Sequence, residues 1–242
     1  MKFENAKVFN FEGALHGMRN PLESWAKSDS GYNCVQNEEK LCDSHCVVDN
    51  YCDTRMSKFI IGEKDLDLAQ RLIKGGPPHS KFLRQIFVTI DITAPLYLFK
   101  ELDTYKIGTT ANSTSTMHKL ASTPITKDCF EMDDYENIKV YDNEPYDIDD
   151  YTDDIWDEII GHCETLRKRY LETKDIRYWK ELIRLLPESW LQTRTWTADY
   201  EVLRNIVHWR STHKLSEWRQ FVGFIKTLPY AEELIFYNND AE

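Results

Sequence analysis

The chain has 242 residues, 41% hydrophobic and 13% aromatic, with a formal net charge of −11. That length fits one large domain or two small ones, and that apolar content supports a buried core, which excludes wholesale disorder. The negative charge argues against general nucleic-acid binding, because phosphate neutralisation needs a surplus of Lys and Arg.

Residues 1–59 are turn-rich and read as an irregular lead-in. MKFENAKVFNFEG lacks the apolar centre of an export signal, and no run approaches the roughly 20 apolar residues needed to cross a membrane. A cytoplasmic protein with no membrane partner is expected. The lead-in carries a cysteine-rich insertion: Cys34, Cys42, Cys46 and Cys52, with His45 among them, spaced C-x7-C-x3-C-x5-C. Structural zinc sites normally use a tighter knuckle to aim two sulfurs at one ion. No metal is therefore assigned, and free thiols in a loop are the plainer expectation.

A domain is expected over residues 60–242. Glu63 to Lys74 sets Leu66, Leu68, Ala69, Leu72 and Ile73 on one helical face, closed by Gly75, Gly76, Pro77 and Pro78. In KFLRQIFVTIDIT, Ile86, Val88, Ile90 and Ile92 alternate with more polar residues, which predicts a strand. Pro95 then opens a helix, as Pro is well tolerated in a first turn. Directly after it comes YKIGTTANSTSTMHK, in which eight of fifteen residues are Thr, Ser, Asn or Gly. Such a segment is a set of turns or a cradle for an anion.

From Glu131 to Glu158 thirteen acids face one base, Lys139, so the rest of the chain is close to neutral. A solvated insertion at about 131–153 is expected, its first part a hairpin. Helices are predicted over 154–173, 175–186, about 200–210 and 215–227. Strands early and helices late, without βαβ alternation, predict an α+β fold, a mixed sheet with helices packed against it. No P-loop, dinucleotide fingerprint or GxSxG elbow is present.

Two segments together carry a resemblance. One is YKIGTTANSTSTMHK behind the strand and Ala94-Pro95; the other is LPESWLQTRTWTADYEVLRNIVHWRSTHKLSEW, from Leu186. Taken in order they resemble the flavin-dependent thymidylate synthases over about residues 60–225. Asn112, Ser115 and Thr110 match the family's polar signature. Tyr105, Lys106 and Ile107 stand where the family has Arg-His-Arg, Ser113 stands for a Glu and Met117 for an Arg. Trp196, Thr197, Asn205 and Arg210 fall in register, while Asp199 and Glu201 replace an Asn and an Arg.

The resemblance implies transfer of a one-carbon unit from methylenetetrahydrofolate to C5 of dUMP or a related pyrimidine nucleotide. Reduced FAD would be the hydride donor, NADPH the reductant, and the enzyme a homotetramer. It makes Arg210 the catalytic group, stabilising charge on the uracil ring. Ser113, Thr114, Ser115, Arg184 and Arg210 would bind the substrate, and Tyr105, Lys106, Thr110, Asn112 and Asn205 the flavin. Lys106, Lys119 and Arg184 are candidate counter-charges for phosphate. The altered signature leaves an alternative open: a catalytically degenerate homologue that binds a nucleotide as a sensor or assembly component. Singly, each residue has a plainer reading, as Arg210 at a helix end can serve the helix dipole.

Overall fold

The structure, a computed structural model, describes residues 1–34, 37–41, 58–139 and 151–239. Residues 140–150, which hold much of the acidic segment, and Cys42, Cys46 and Cys52 lie outside this range, as does the side chain of Cys34.

In chain order come strand β1 (Lys2–Phe9), helix α1 (Phe11–Met18), strands β2 (Gly31–Cys34), β3 (Asn37–Leu41) and β4 (Phe59–Ile60), and helix α2 (Glu63–Lys74). Next are β5 (Phe87–Pro95), α3 (Leu96–Leu102), β6 (Thr110–Ser113) and the short α4 (Thr116–Lys119). Then follow α5 (Thr152–Thr173), α6 (Ile176–Leu185), β7 (Leu191–Asp199), α7 (Tyr200–Arg210) and α8 (Ser216–Ile225). The class is α+β, as expected. Among the described residues no helix is long and apolar enough to cross a membrane.

Residues 1–34 are not the irregular lead-in their turns suggest. β1 is almost wholly exposed, so no apolar alternation marks it. It is also interrupted at Asn5, which sits in the left-handed region at φ 54° and donates to Asp91 Oδ2 at 2.8 Å.

Four strands form one sheet in the order β1-β5-β7-β6; β3-β2-β4 form a second, antiparallel one. On β5 one face is the predicted apolar row, with Val88, Ile90, Ile92 and Ala94 buried. The other face pairs with β7 through a polar ladder. Thr89 and Thr197 hydroxyls are 3.1 Å apart, Thr195 Oγ1 donates to Asp91 Oδ1 at 2.5 Å, and Thr93 and Thr193 hydroxyls are 2.7 Å apart. As one residue number rises the other falls, so the pair is antiparallel.

The chain divides into two compact units: residues 1–5, 90–106 and 111–196, and residues 6–89, 107–110 and 197–242. In the first, α5 and α6 pack as neighbours after a left-handed turn at Lys174 (φ 55°). They bury Cys163 and Leu182 with Leu120, Ile125 and Phe130. Asp175 caps α6 by accepting from Arg177 N at 2.9 Å.

In the second unit an aromatic core gathers Phe11, Tyr200 and Tyr230, with ring centroids 5.7 and 5.5 Å from Phe11. Tyr200 is fully buried and donates its hydroxyl to Pro229 O at 2.6 Å, which satisfies its polar end. α2 has the predicted bounds, but its deepest positions are Asp65, Ala69 and Ile73. The buried Asp interrupts the apolar face that Leu66 and Leu72 announce.

Candidate functional site

The polar segment does not remain a bare loop. Its centre, Thr110–Ser113, becomes the edge strand β6, and Thr116–Lys119 the turn of helix α4. Between them Thr114 N donates to Thr193 O at 2.9 Å, and Thr193 N donates to Thr114 Oγ1 at 3.3 Å. Gln192 Nε2 donates to Thr114 O at 2.9 Å and lies 3.3 Å from Thr116 Oγ1. β7 thus fixes the backbone of the segment rung by rung.

This places Thr114 and Ser115 in the wall of a first-unit pocket of about 830 Å3, shared with Thr93, Thr116, Lys119 and Lys127. Phe130 and Trp190 give it an apolar flank, and their rings meet edge to face at 5.5 Å. Among the described residues the Lys119 ammonium has no hydrogen bond or ion pair. Lys127 is held by Asp153 at 2.9 Å and Asp157 at 3.3 Å, and these bonds keep its ammonium charged. Lys2, also without an ion pair among the described residues, lines the pocket too, as do Asp128, Glu131, Asp133 and Asp153; hydroxyls, two unpaired lysines and an aromatic flank can take an anionic ligand carrying a flat ring.

The other expected site residues of this unit lie elsewhere. Ser113, Asn112 and Lys106 are exposed and Tyr105 is half-buried; none of them lines the pocket. Arg184 is exposed on α6 and pairs with Glu181 one turn away. Sequence reasoning missed Thr93, Thr116 and Lys127. Thr116 lay within the quoted segment, but nothing in the sequence marked Lys127, which reaches the pocket through the loop before Phe130.

A second-unit pocket of about 500 Å3 holds Asn205, with Arg84, Asp199, Glu201, Arg204 and His208 around it. Asp199 caps α7, accepting from Val202 N at 2.9 Å. A side chain on Gly108, whose φ is 77°, would bring its Cβ to 2.5 Å from Asp199 Oδ2, so the close approach requires glycine. Burial pushes the Asp199 carboxyl above its ordinary range. Burial also raises Glu201, partly offset by Arg84 and Arg204, with the Asp199 charge pushing further up. Glu201 Oε2 is buried and, among the described residues, has no hydrogen-bond partner.

Arg204 is spoken for. Its guanidinium donates to the carbonyls of Ile235, Tyr237 and Asn238 at 2.8, 2.6 and 2.6 Å. Arg210, at the last turn of α7, is half-buried, with its guanidinium carbon 4.7 Å from the centre of the fully buried Trp218 ring. That stacking holds the cation in one place. Trp196 is a core residue, whereas Trp209 is 60% exposed. Thr110 is exposed at the start of β6.

The residues of the second pocket fit a flavin nucleotide. An orphaned buried acceptor at Glu201 matches an N–H donor of the flavin ring or the adenine amino group. Arg84 offers counter-charge for phosphate, His208 a ring N–H, and the Asn205 amide can both donate and accept.

Comparison with protein-family models finds no match, and comparison with the sequences of curated proteins finds none either. Solved structures do match. The chain is similar to the flavin-dependent thymidylate synthase of Helicobacter pylori complexed with FAD and dUMP, at 17% identity over 99% of both chains, with a TM-score of 0.60. A second structure of that enzyme with the same ligands gives 16% identity, 98% coverage of both chains and a TM-score of 0.60. The UMP/dUMP methylase PolB of Streptomyces cacaoi, bound with 5-Br UMP, is 14% identical over 75% of this chain and 86% of its own, with a TM-score of 0.52. The chain therefore has the fold of the flavin-dependent thymidylate synthases.

Proposed function

We propose that the chain is a flavin-dependent thymidylate synthase-like enzyme that transfers a one-carbon unit from methylenetetrahydrofolate to C5 of dUMP or a related pyrimidine nucleotide. The observation that carries this reading is the placement of Thr114, Ser115 and the unpaired Lys119 in one pocket, on the fold shared with a structure that holds FAD and dUMP. Thr114 and Ser115 donate hydroxyls to the nucleotide phosphate and Lys119 supplies the counter-charge. Phe130 and Trp190 shield the ring. The resemblance gives Arg210, always charged and fixed against Trp218, the part of stabilising negative charge on the uracil.

Asn205, Glu201 and Arg84 hold the flavin in the second-unit pocket. When bound, flavin supplies the hydride that turns the transferred unit into a methyl group, with NADPH as reductant. The resemblance assigns further flavin contacts to Tyr105, Lys106, Thr110 and Asn112, and nucleotide contacts to Ser113 and Arg184. It also implies a homotetramer that builds each site from more than one copy of the chain.

One observation favours a second reading, a nucleotide-binding sensor or assembly component without turnover. Of positions 105–107, only Lys106 carries charge, and Ile107 is 91% exposed, so the flavin phosphates lose two bases there. A thermal-shift panel of dUMP, UMP and dCMP, with and without FAD, decides between them. A ligand at a hundred times its Kd raises stability by about 2.7 kcal/mol. Stabilisation by FAD and by a pyrimidine monophosphate, with a yellow purified protein, supports the enzyme. Stabilisation by the nucleotide alone supports the sensor, and no response to any of them removes both.

A further inference from the structure

A third pocket, in the second unit, is built around a buried guanidinium that neither reading uses. Arg19 follows the last turn of α1 with its side chain only 5% exposed. Its Nε donates to Asp65 Oδ1 at 2.5 Å, and its Nη1 stands 3.5 Å from the carbonyl and hydroxyl oxygens of Ser24, the outer limit of a hydrogen bond. Nη2 has no partner among the described residues.

Asp65 holds the guanidinium in place. It is fully buried and also accepts the Ser28 and Ser30 hydroxyls, each at 2.6 Å. Burial works to raise its carboxyl, but the bonds from Ser28, Ser30 and Arg19 together keep it below its ordinary value. The inner edge of Arg19 is therefore engaged, while on its outer edge Nη1 has only the long contacts to Ser24 and Nη2 has no acceptor among the described residues.

Arg19 forms the wall of a pocket of about 690 Å3 with Leu22, Lys27, Lys64, Leu68 and Arg71. Glu63 and Asp67 are the acids there, and Asp67 is taken by Arg71 at 2.9 Å. The Lys27 and Lys64 ammoniums have no ion-pair partner among the described residues. With Asp65 counted beside Arg19, four bases face three acids, one base being a fixed guanidinium whose geometry matches phosphate oxygens. We infer that this pocket binds a phosphate dianion, either free or as a small phosphate monoester, with Arg19 as the fixed donor and Lys27 and Lys64 as closing cations.

Calorimetric titration of the full chain, in phosphate-free buffer, tests this with inorganic phosphate and, separately, glycerol 3-phosphate. Saturable binding is expected in the Lys119→Ala background, where the first-unit pocket is disabled, and at least tenfold weaker binding when Lys27→Gln and Lys64→Gln are added to it. Both replaced lysines are exposed, so the double variant keeps its fold even where Arg19→Lys does not. Tighter binding of glycerol 3-phosphate assigns the site to an ester resting on Leu22 and Leu68; equal binding assigns it to free phosphate. Absence of saturable binding overturns the inference. So does binding lost in Lys119→Ala but kept in the double variant, which would place the anion in the first-unit pocket.

Discussion

Thr114 N donates to Thr193 O at 2.9 Å, and through that bond a strand in the core of the sheet order positions a hydroxyl-rich segment. The bond continues β7's pairing one residue past the end of β6, so β7 holds the backbone at Thr114, and Thr193 N also holds the Thr114 hydroxyl. Lys119 follows within a turn, since its N–H donates to Ser115 O at 3.0 Å. Replacing Lys119 by Ala should weaken dUMP binding about tenfold or more, the size of one charge-assisted hydrogen bond. The unfolding midpoint should not move, because the ammonium has no partner to lose. Calorimetry with dUMP checks it, and an unchanged Kd would remove the pocket from the functional reading.

Arg210 separates chemistry from folding. Its stacking on Trp218 contributes about 1 kcal/mol, and Arg210→Ala should stay folded with a lowered urea midpoint. Turnover of dUMP, or nucleotide binding if there is no turnover, should fall below detection. Arg210→Lys keeps the charge but not the planar stack and should recover only part of it. Activity surviving in the Ala variant would show that the register read for α7 is wrong.

Glu201 makes a pH-dependent prediction. Its carboxyl is raised above 4.5 in the folded chain, chiefly by burial. As pH climbs past 4.5 the unfolded chain releases this proton first, so stability declines until the folded group also ionises. Glu201→Gln should abolish that decline and be more stable than the parent at pH 7, measured by urea midpoints across pH 4 to 8. The Gln carbonyl still accepts an N–H, so FAD binding should persist, whereas Glu201→Leu should weaken it about tenfold. Equal FAD affinity in the Leu variant would sever Glu201 from the flavin.

Legibility in the sequence followed the strength of the periodic signal. α2, β5 and α7 were readable because one face of each is apolar: Ala69 and Ile73 in α2, Ile90 and Ile92 in β5, Leu203 and Ile206 in α7. β7 was not, because its buried positions include Gln192 and its other face is a row of threonines whose partners lie on β5. β1 was missed because it exposes nearly every side chain. In the site, composition marked Thr114 and Ser115, but Lys127 and Arg84 come from turns whose place only the tertiary chain path sets. Nothing local announces the buried ion pair of Arg19 and Asp65.

The first unit's own core depends on a charged clamp. Glu164 accepts Arg167 Nε at 2.7 Å and Nη2 at 2.6 Å, and also the N–H of the buried Ile125 at 2.9 Å. Arg167 closes the loop by donating to Ala121 O at 3.1 Å. Led by Arg167, these contacts lower the Glu164 carboxyl from 4.5 to about 2. A lowered carboxyl contributes its stability fully above 4.5 and loses it as pH falls from there toward about 2. The contribution is on the order of 2–3 kcal/mol, reduced by the partial exposure of the pair. Glu164→Gln should therefore lose stability at pH 7 and show a flatter acid limb between pH 4.5 and 2 than the parent. Arg167→Ala should lose more, because it leaves the Ala121 carbonyl without its donor and the half-buried carboxylate without its cation. Parallel acid limbs in parent and Glu164→Gln would mean that other carboxylates, not this clamp, govern acid unfolding of the unit.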